Sequence, residues 1–175
     1  MAAAKPTLGT LNACDREAFV AVLGHLFEHS PWVAAETFDK RPFKSADDLH
    51  AALCATMRGA DPERQLALVR AHPDLAGRLA QAGKLTASST GEQSAAGLDR
   101  LTPAETAEIG RLNDAYKARF GFPFVICARL NAKDTILAAM RARLGNGPDA
   151  ELSTALDEIA KIGRLRLNDT LTKEN

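Results

Sequence analysis

Apolar residues recur along this chain at spacings of three and four, the period of a helix that turns one face to a core. The first such stripe, Phe19, Val22, Leu23, Leu26 and Phe27, predicts a helix over residues 15–28 with Arg16, Glu17 and Glu28 on its polar side. Ser30-Pro31 offers a cap followed by proline at the first helical position, and with Trp32, Val33 and Phe38 it predicts a short second helix that Pro42-Phe43 ends. Ser45 with Asp48 opens a helix through Leu49, Leu53 and Met57, and Asp61-Pro62 opens another through Leu66 and Val69 into the region of His72. A brief helix from about Asp74 stops at Gly83, and Ser89-x-x-Glu92-Gln93 has the form of another helix start.

Thr102-Pro103-Ala104-Glu105 combines cap, proline and capping glutamate, so a long helix should run to Phe120 and stop at Gly121. Helices through Ile136, Leu137, Met140 and Leu144, and through Leu152, Leu156, Ile159, Ile162 and Leu165, follow on either side of the turn Gly145-Asn146-Gly147-Pro148. The one exception is Phe122-Pro123-Phe124-Val125-Ile126-Cys127-Ala128, two aromatics around a proline and then a β-prone apolar run. It reads as a buried extended segment with no strand to pair with. Its backbone donors must serve a bound polar ligand, bond to side chains, or turn into the next helix. The pattern as a whole predicts an all-α, single-domain helical bundle over residues 1–175, with about 1–12 and 170–175 flexible.

Composition narrows the function. With 46% hydrophobic and 25% charged residues the chain can bury a sizeable core. Twenty-two basic residues balance 22 acidic ones without a basic block, which disfavours nucleic acid as a partner. Cys14, Cys54 and Cys127 are odd in number and widely spaced, as expected of small core residues in a reducing compartment. The opening residues do not form a signal peptide, and no apolar run approaches a membrane span, so the expected location is the cytoplasm, away from membranes.

Candidate chemistry gathers around Arg70-Ala71-His72-Pro73-Asp74-Leu75-Ala76. A histidine before proline is pushed toward extended backbone, so His72 can project from a helix end into a cleft as an acid or base; it can equally be a partner of the helix dipole. Glu92 is either a carboxylate beside it or the reaching arm of a Ser89 capping box. Arg164 and Arg166, near the end of the last helix, either complement its dipole or clamp an anion. His25-Leu26-Phe27-Glu28-His29 has the form of an inverse zinc-peptidase motif, but on a helix its trio points to solvent, so no metal is expected.

Six pieces in order then resemble one family: Phe27-Glu28-x-Ser30-Pro31-Trp32, Arg41-Pro42-Phe43, Ala71-His72-Pro73-Asp74-Leu75-Ala76, Ser89-x-x-Glu92-Gln93-x-x-Ala96-Gly97-Leu98, Phe120-Gly121-Phe122-Pro123-Phe124-Val125-Ile126-Cys127, and Glu158-Ile159-x-Lys161-Ile162-x-x-Leu165-Arg166-Leu167. They are similar to the 2-oxo-4-hydroxy-4-carboxy-5-ureidoimidazoline (OHCU) decarboxylases of urate breakdown. The resemblance places Glu28 in a family piece and so removes weight from zinc. It implies a cofactor-free, all-α lyase, usually a homodimer, that turns OHCU into (S)-allantoin. It implies His72, Glu92 and Arg166 as catalytic residues. It assigns substrate binding to Pro73, to Ser89, Thr90, Gly91, Glu92 and Gln93, to Phe124, Val125, Ile126, Cys127 and Ala128, and to Arg166. A related fold acting on another ureido or hydroxy acid, or a binding module without catalysis, is the competing expectation.

Overall fold

The computed structural model describes residues 5–172, without the side chains of Arg78 and Leu79. Among the described residues there are helices and short 3-10 turns and no strand, so the fold is all-α, as the periodicity predicts. The chain forms two compact units, residues 1–71 with 160–175, and residues 72–159.

The first unit holds α1 (Leu8–Ala13), α2 (Arg16–Leu23), α3 (Trp32–Thr37), α4 (Ala46–Gly59), α5 (Pro62–Arg70) and residues 160–170 of α10 (Pro148–Thr170). Side chains of Thr7, Asp15, Ser45 and Asp61 accept the backbone N–H three residues on and so start four of these helices. α3 packs on α2 and α4 over a core of Phe19, Leu23, Val33, Leu49, Leu53 and Met57. Arg41 Nη1 donates to the carbonyls of Leu11, Asn12 and Cys14 at the C-terminal end of α1, while its guanidinium lies 3.5 Å from the Phe38 ring centre. The expected flexible ends are thus partly structured. α1 buries Leu8 and Leu11, and Thr172 N–H donates to the Pro6 carbonyl; residues 1–4 and 173–175 lie outside the described ones.

Helix α2 stops at Leu23, five residues before the predicted end. The turn that follows leaves no room for a side chain at Gly24, where a Cβ would meet the Val20 carbonyl oxygen at 2.7 Å and Pro31 Cβ at 3.1 Å, and His29 closes the turn at φ +48°. Leu26 and Phe27 remain buried, but Glu28 is buried with them instead of facing solvent. Ser30 does not cap α3; its hydroxyl donates to the Glu28 carbonyl within the same turn.

The second unit holds α6 (Arg78–Gln81), α7 (Ala87–Ala95), α8 (Pro103–Phe120), α9 (Lys133–Arg143) and residues 148–159 of α10. The predicted capping box at Thr102 and Glu105 forms, and Gly121 ends α8 at φ +74°. The chain then enters the extended segment, buried from Phe122 to Ala128. Side chains satisfy two of its backbone groups: Glu158 Oε2 accepts the Cys127 N–H at 2.7 Å, and Arg143 Nη1 donates to the Val125 carbonyl at 2.8 Å. It ends by turning into a 3-10 turn at Ala128–Leu130. Arg143 stacks on Phe124 and is anchored by Glu151, a fully buried carboxylate that also accepts Tyr116 OH and Asn146 Nδ2. Tyr116 packs against Phe120, Phe122 and Phe124. Of the three thiols expected as core residues only Cys127 is buried; Cys14 and Cys54 are half-buried, and no disulfide joins any two of them.

Burial, and then the hydrogen bond to Glu151, push the Tyr116 phenol far above its ordinary value of 10.0. Its raised value in the folded state contributes stability below the unfolded value of 10.0, and that contribution is lost as pH rises beyond it. Tyr116 is the only tyrosine in the chain, so ultraviolet tyrosinate absorbance reads it alone. The expected result is no tyrosinate signal while the protein is folded, with the signal rising together with loss of helical circular dichroism. An ordinary titration in the folded state would contradict the buried Tyr116–Glu151 bond.

Candidate active site

His72 is the first residue of the second unit and is 7% exposed. The loop after it is irregular, and helix side chains hold three of its polar groups. Asn113 Nδ2, on α8, donates to the Leu75 carbonyl at 2.9 Å, and Lys117, one turn further on, lies 2.5 Å from Asp74 Oδ2. Gln93 Oε1, on α7, accepts the Ala76 N–H at 2.8 Å and holds Ala76 at φ +47°. The Gly77 N–H closes the turn on the Asp74 carbonyl, which explains why the predicted helix from Asp74 begins only at Arg78.

The cap of α7 is Thr86, whose hydroxyl accepts the Ser89 N–H at 3.3 Å. Ser89 is therefore inside the helix, and Glu92 is not the third residue of a capping box. Ser89 and Gln93, one turn apart, are buried; Thr90 and Gly91 are exposed and Glu92 is half-buried. α7 packs against the 3-10 turn at Ala128–Leu130 that closes the extended segment. The second unit thus brings together three stretches singled out in the sequence: His72-Pro73, residues 89–93, and residues 124–128. Gln93, expected to read substrate, uses its amide oxygen to hold the loop of His72.

Arg166 belongs to the first unit, on α10. It is 4% exposed; its Nη1 lies 2.9 Å from Glu28 Oε2 and donates to the His25 carbonyl at 3.3 Å. The dipole role expected as one alternative falls to neither arginine, since α10 runs on to Thr170 with no basic residue in its last turn; Arg164 pairs with exposed Asp47 at 2.5 Å. His25 is exposed as a residue, with Nε2 at 3.2 Å from the Thr170 hydroxyl; partial desolvation of its ring, and then the charge of Arg166, lower its pKa from the ordinary 6.5. The motif His25-x-x-Glu28-His29 is not on a helix, and among the described residues no three His, Cys, Asp or Glu side chains gather into a metal-binding set.

Sequence reasoning missed Asn113, Arg143 and Glu151, and it quoted Glu158 without a role. The signal was present. Asn113 interrupts the apolar stripe Ile109, Leu112, Tyr116, Phe120 of α8, and Glu151 and Glu158 fall in register with Ala155 and Ile162 on α10. A polar residue on the inward stripe must have a buried partner.

A family model described as OHCU decarboxylase matches residues 12–168. A 2-oxo-4-hydroxy-4-carboxy-5-ureidoimidazoline decarboxylase from Amia calva is 45% identical over 161 residues, 92% of this chain and 92% of the relative. Another from Haloferax volcanii is 41% identical over 168 residues, 96% of this chain and 98% of the relative. Among solved structures, that of (S)-allantoin synthase is similar at a TM-score of 0.78 and 28% identity, covering 97% of this chain and 55% of the solved one, so this chain spans about half its length.

The loop geometry gives opposite outcomes at two adjacent positions. Ala76→Gly removes the left-handed strain and should leave melting temperature equal or higher. Gly77→Ala would place a Cβ 2.6 Å from Asp74 Cβ and 3.2 Å from its carbonyl oxygen, and should cost about 1–3 kcal/mol. Thermal denaturation of the two variants checks this; a neutral Gly77→Ala would show the turn to be looser than described.

Proposed function

The chain belongs to the OHCU decarboxylase family, and from that membership we propose that it is a carboxy-lyase that converts OHCU to (S)-allantoin and CO₂, the last step from urate to allantoin. The observation that carries this reading is the junction of the His72 loop, α7 and the extended segment, made by Gln93 on Ala76 and by α7 on the 3-10 turn. The family match runs through both units, which supports treating residues 1–175 as one domain. The resemblance also supports a homodimer and a cytoplasmic location. Among the described residues no helix is long and apolar enough to cross a membrane.

The substrate carries its own electron sink, so the mechanism calls for no cofactor. One ring carbon bears both carboxylate and hydroxyl; its neighbour bears the ureido group and is double-bonded to nitrogen. When the bond to the carboxylate breaks, CO₂ leaves and the electron pair forms a carbon–carbon double bond while the C=N electrons move onto nitrogen. The nitrogen takes up a proton, a second proton adds to the ureido-bearing carbon from one face, and the hydroxyl gives one back as the carbonyl forms, so that one proton is consumed for each CO₂ released. His72 manages the proton at carbon, since imidazole titrates near neutral pH. Glu92 hydrogen-bonds the ring hydroxyl and orients His72 or the substrate. Arg166 binds substrate oxygens and offsets their charge. Backbone groups of residues 89–93 and 124–128, with Pro73, read the ureido and ring edges.

Freshly generated OHCU decays slowly to racemic allantoin, so accelerated decay with a single enantiomer as product establishes the activity; racemic product at the uncatalysed rate would overturn it. His72→Asn, which keeps a polar side chain at a buried position, should fold and lose about 10²–10⁴ in kcat. Glu92→Gln should fold with nearly unchanged melting temperature and lose about 30- to 1000-fold in rate, equivalent to ~2–4 kcal/mol of transition-state stabilisation. With Thr86 as the cap of α7, loss of charge at Glu92 has little helix to undo. Near-normal kcat in either folded variant would remove that residue from the mechanism.

A further inference from the structure

Arg166 sits in a socket that a single turn of chain builds along one face of α10. Residues 24–31 meet that face at three successive levels. At Gly163 the Phe27 ring approaches so closely that a Cβ there would lie 3.2 Å from Phe27 Cζ. At Arg166 the Glu28 carboxylate and the His25 carbonyl both engage Nη1. At Thr170 the hydroxyl meets His25 Nε2. Positions 163, 166 and 170 are three and four apart, so they share one helix face.

The turn spends conformational freedom on this arrangement. His29 adopts φ +48°, Gly24 has no room for a side chain, and the Ser30 hydroxyl is committed to the Glu28 carbonyl. The Glu28 and Arg166 side chains are 2% and 4% exposed. A buried ion pair gives little net stability against an apolar pair of the same volume, because both charges lose their hydration. Its effect is directional: a carboxylate against one edge of a planar guanidinium fixes the plane of the whole group.

We propose that Glu28 is a positioning residue for Arg166, holding the guanidinium in the orientation that receives the substrate's anionic oxygens. This rests on Arg166 being a substrate-binding residue. Glu28 touches no substrate; it acts by removing the freedom of Arg166 before the substrate arrives, so its loss should be felt in binding.

The test is steady-state kinetics on OHCU with Glu28→Gln, Arg166→Gln and the double variant, each with circular dichroism and a melting curve. Glu28→Gln should raise KM about tenfold with kcat changed less than about threefold. In the Arg166→Gln background the same replacement should leave KM unchanged within about twofold, because it has nothing left to orient. Glu28→Asp, which keeps the charge on a shorter arm, carries the same test should Glu28→Gln not fold, and should raise KM with the melting temperature largely kept. A folded Glu28→Gln or Glu28→Asp enzyme with wild-type KM overturns the proposal. So does a Glu28→Gln effect of equal size with and without Arg166, since that marks a general structural role. Arg166→Gln with normal KM and kcat removes the premise itself, an outcome separate from failure of the Glu28 step.

Discussion

The extended segment after Gly121 is buried with no strand among the described residues to pair with, and the pairing of Arg143 with Glu151 is what permits this. A buried carbonyl or N–H left without a partner costs about 1–3 kcal/mol, and a sheet would normally satisfy a run of them. Here Arg143 satisfies the Val125 carbonyl and Glu158 the Cys127 N–H. Arg143 can be brought into the aromatic cluster only because Glu151 balances its charge, and Glu151 can be fully buried only because Arg143, Tyr116 and Asn146 all donate to it. Tyr116 on α8, Arg143 at the end of α9 and Glu151 at the start of α10 therefore have their relative positions fixed by one carboxylate.

The same device recurs at the loop of His72. Residues 72–77 make no regular structure, yet Asn113, Lys117 and Gln93 each hold one of its groups from a neighbouring helix. The helices contribute rigidity, which a loop lacks, and the loop contributes backbone direction, which a helix cannot offer. Ala76 in the left-handed region is a local cost that the Gln93 bond offsets.

Much of the fold was legible because helix boundaries are written locally. The Thr102 and Glu105 box, Pro62 and Pro103 at first helical positions, and Gly121 after α8 act within three or four residues, and each formed as read. Two boundaries were misread where two local signals compete. Thr86 and Ser89 are both acceptable caps, and the earlier one prevails, which moves Ser89 inside α7. The apolar spacing of Leu23, Leu26 and Phe27 continues past Gly24 although the helix does not, since a tight turn can bury the same residues that a helix would. Glu28 was unreadable for a different reason. Its partner lies 138 residues away, and nothing in the local pattern distinguishes a glutamate facing water from one facing a buried arginine.

Three positions on α10 make that distinction in hindsight. Glu151, Glu158 and Arg166 lie among Ala155, Leu156, Ile159 and Ile162 on inward positions, and all three are buried. Apolar residues there would fill the same volume at similar or better stability. What they cannot do is hold something directional: Glu151 holds a guanidinium that holds a carbonyl, Glu158 holds an N–H, and Arg166 is itself held by Glu28. Packing fixes where atoms are but is indifferent to the rotation of a planar polar group, whereas a charged hydrogen bond is not. The charged positions of α10 are thus set by the need to orient groups that apolar contacts would leave free to turn.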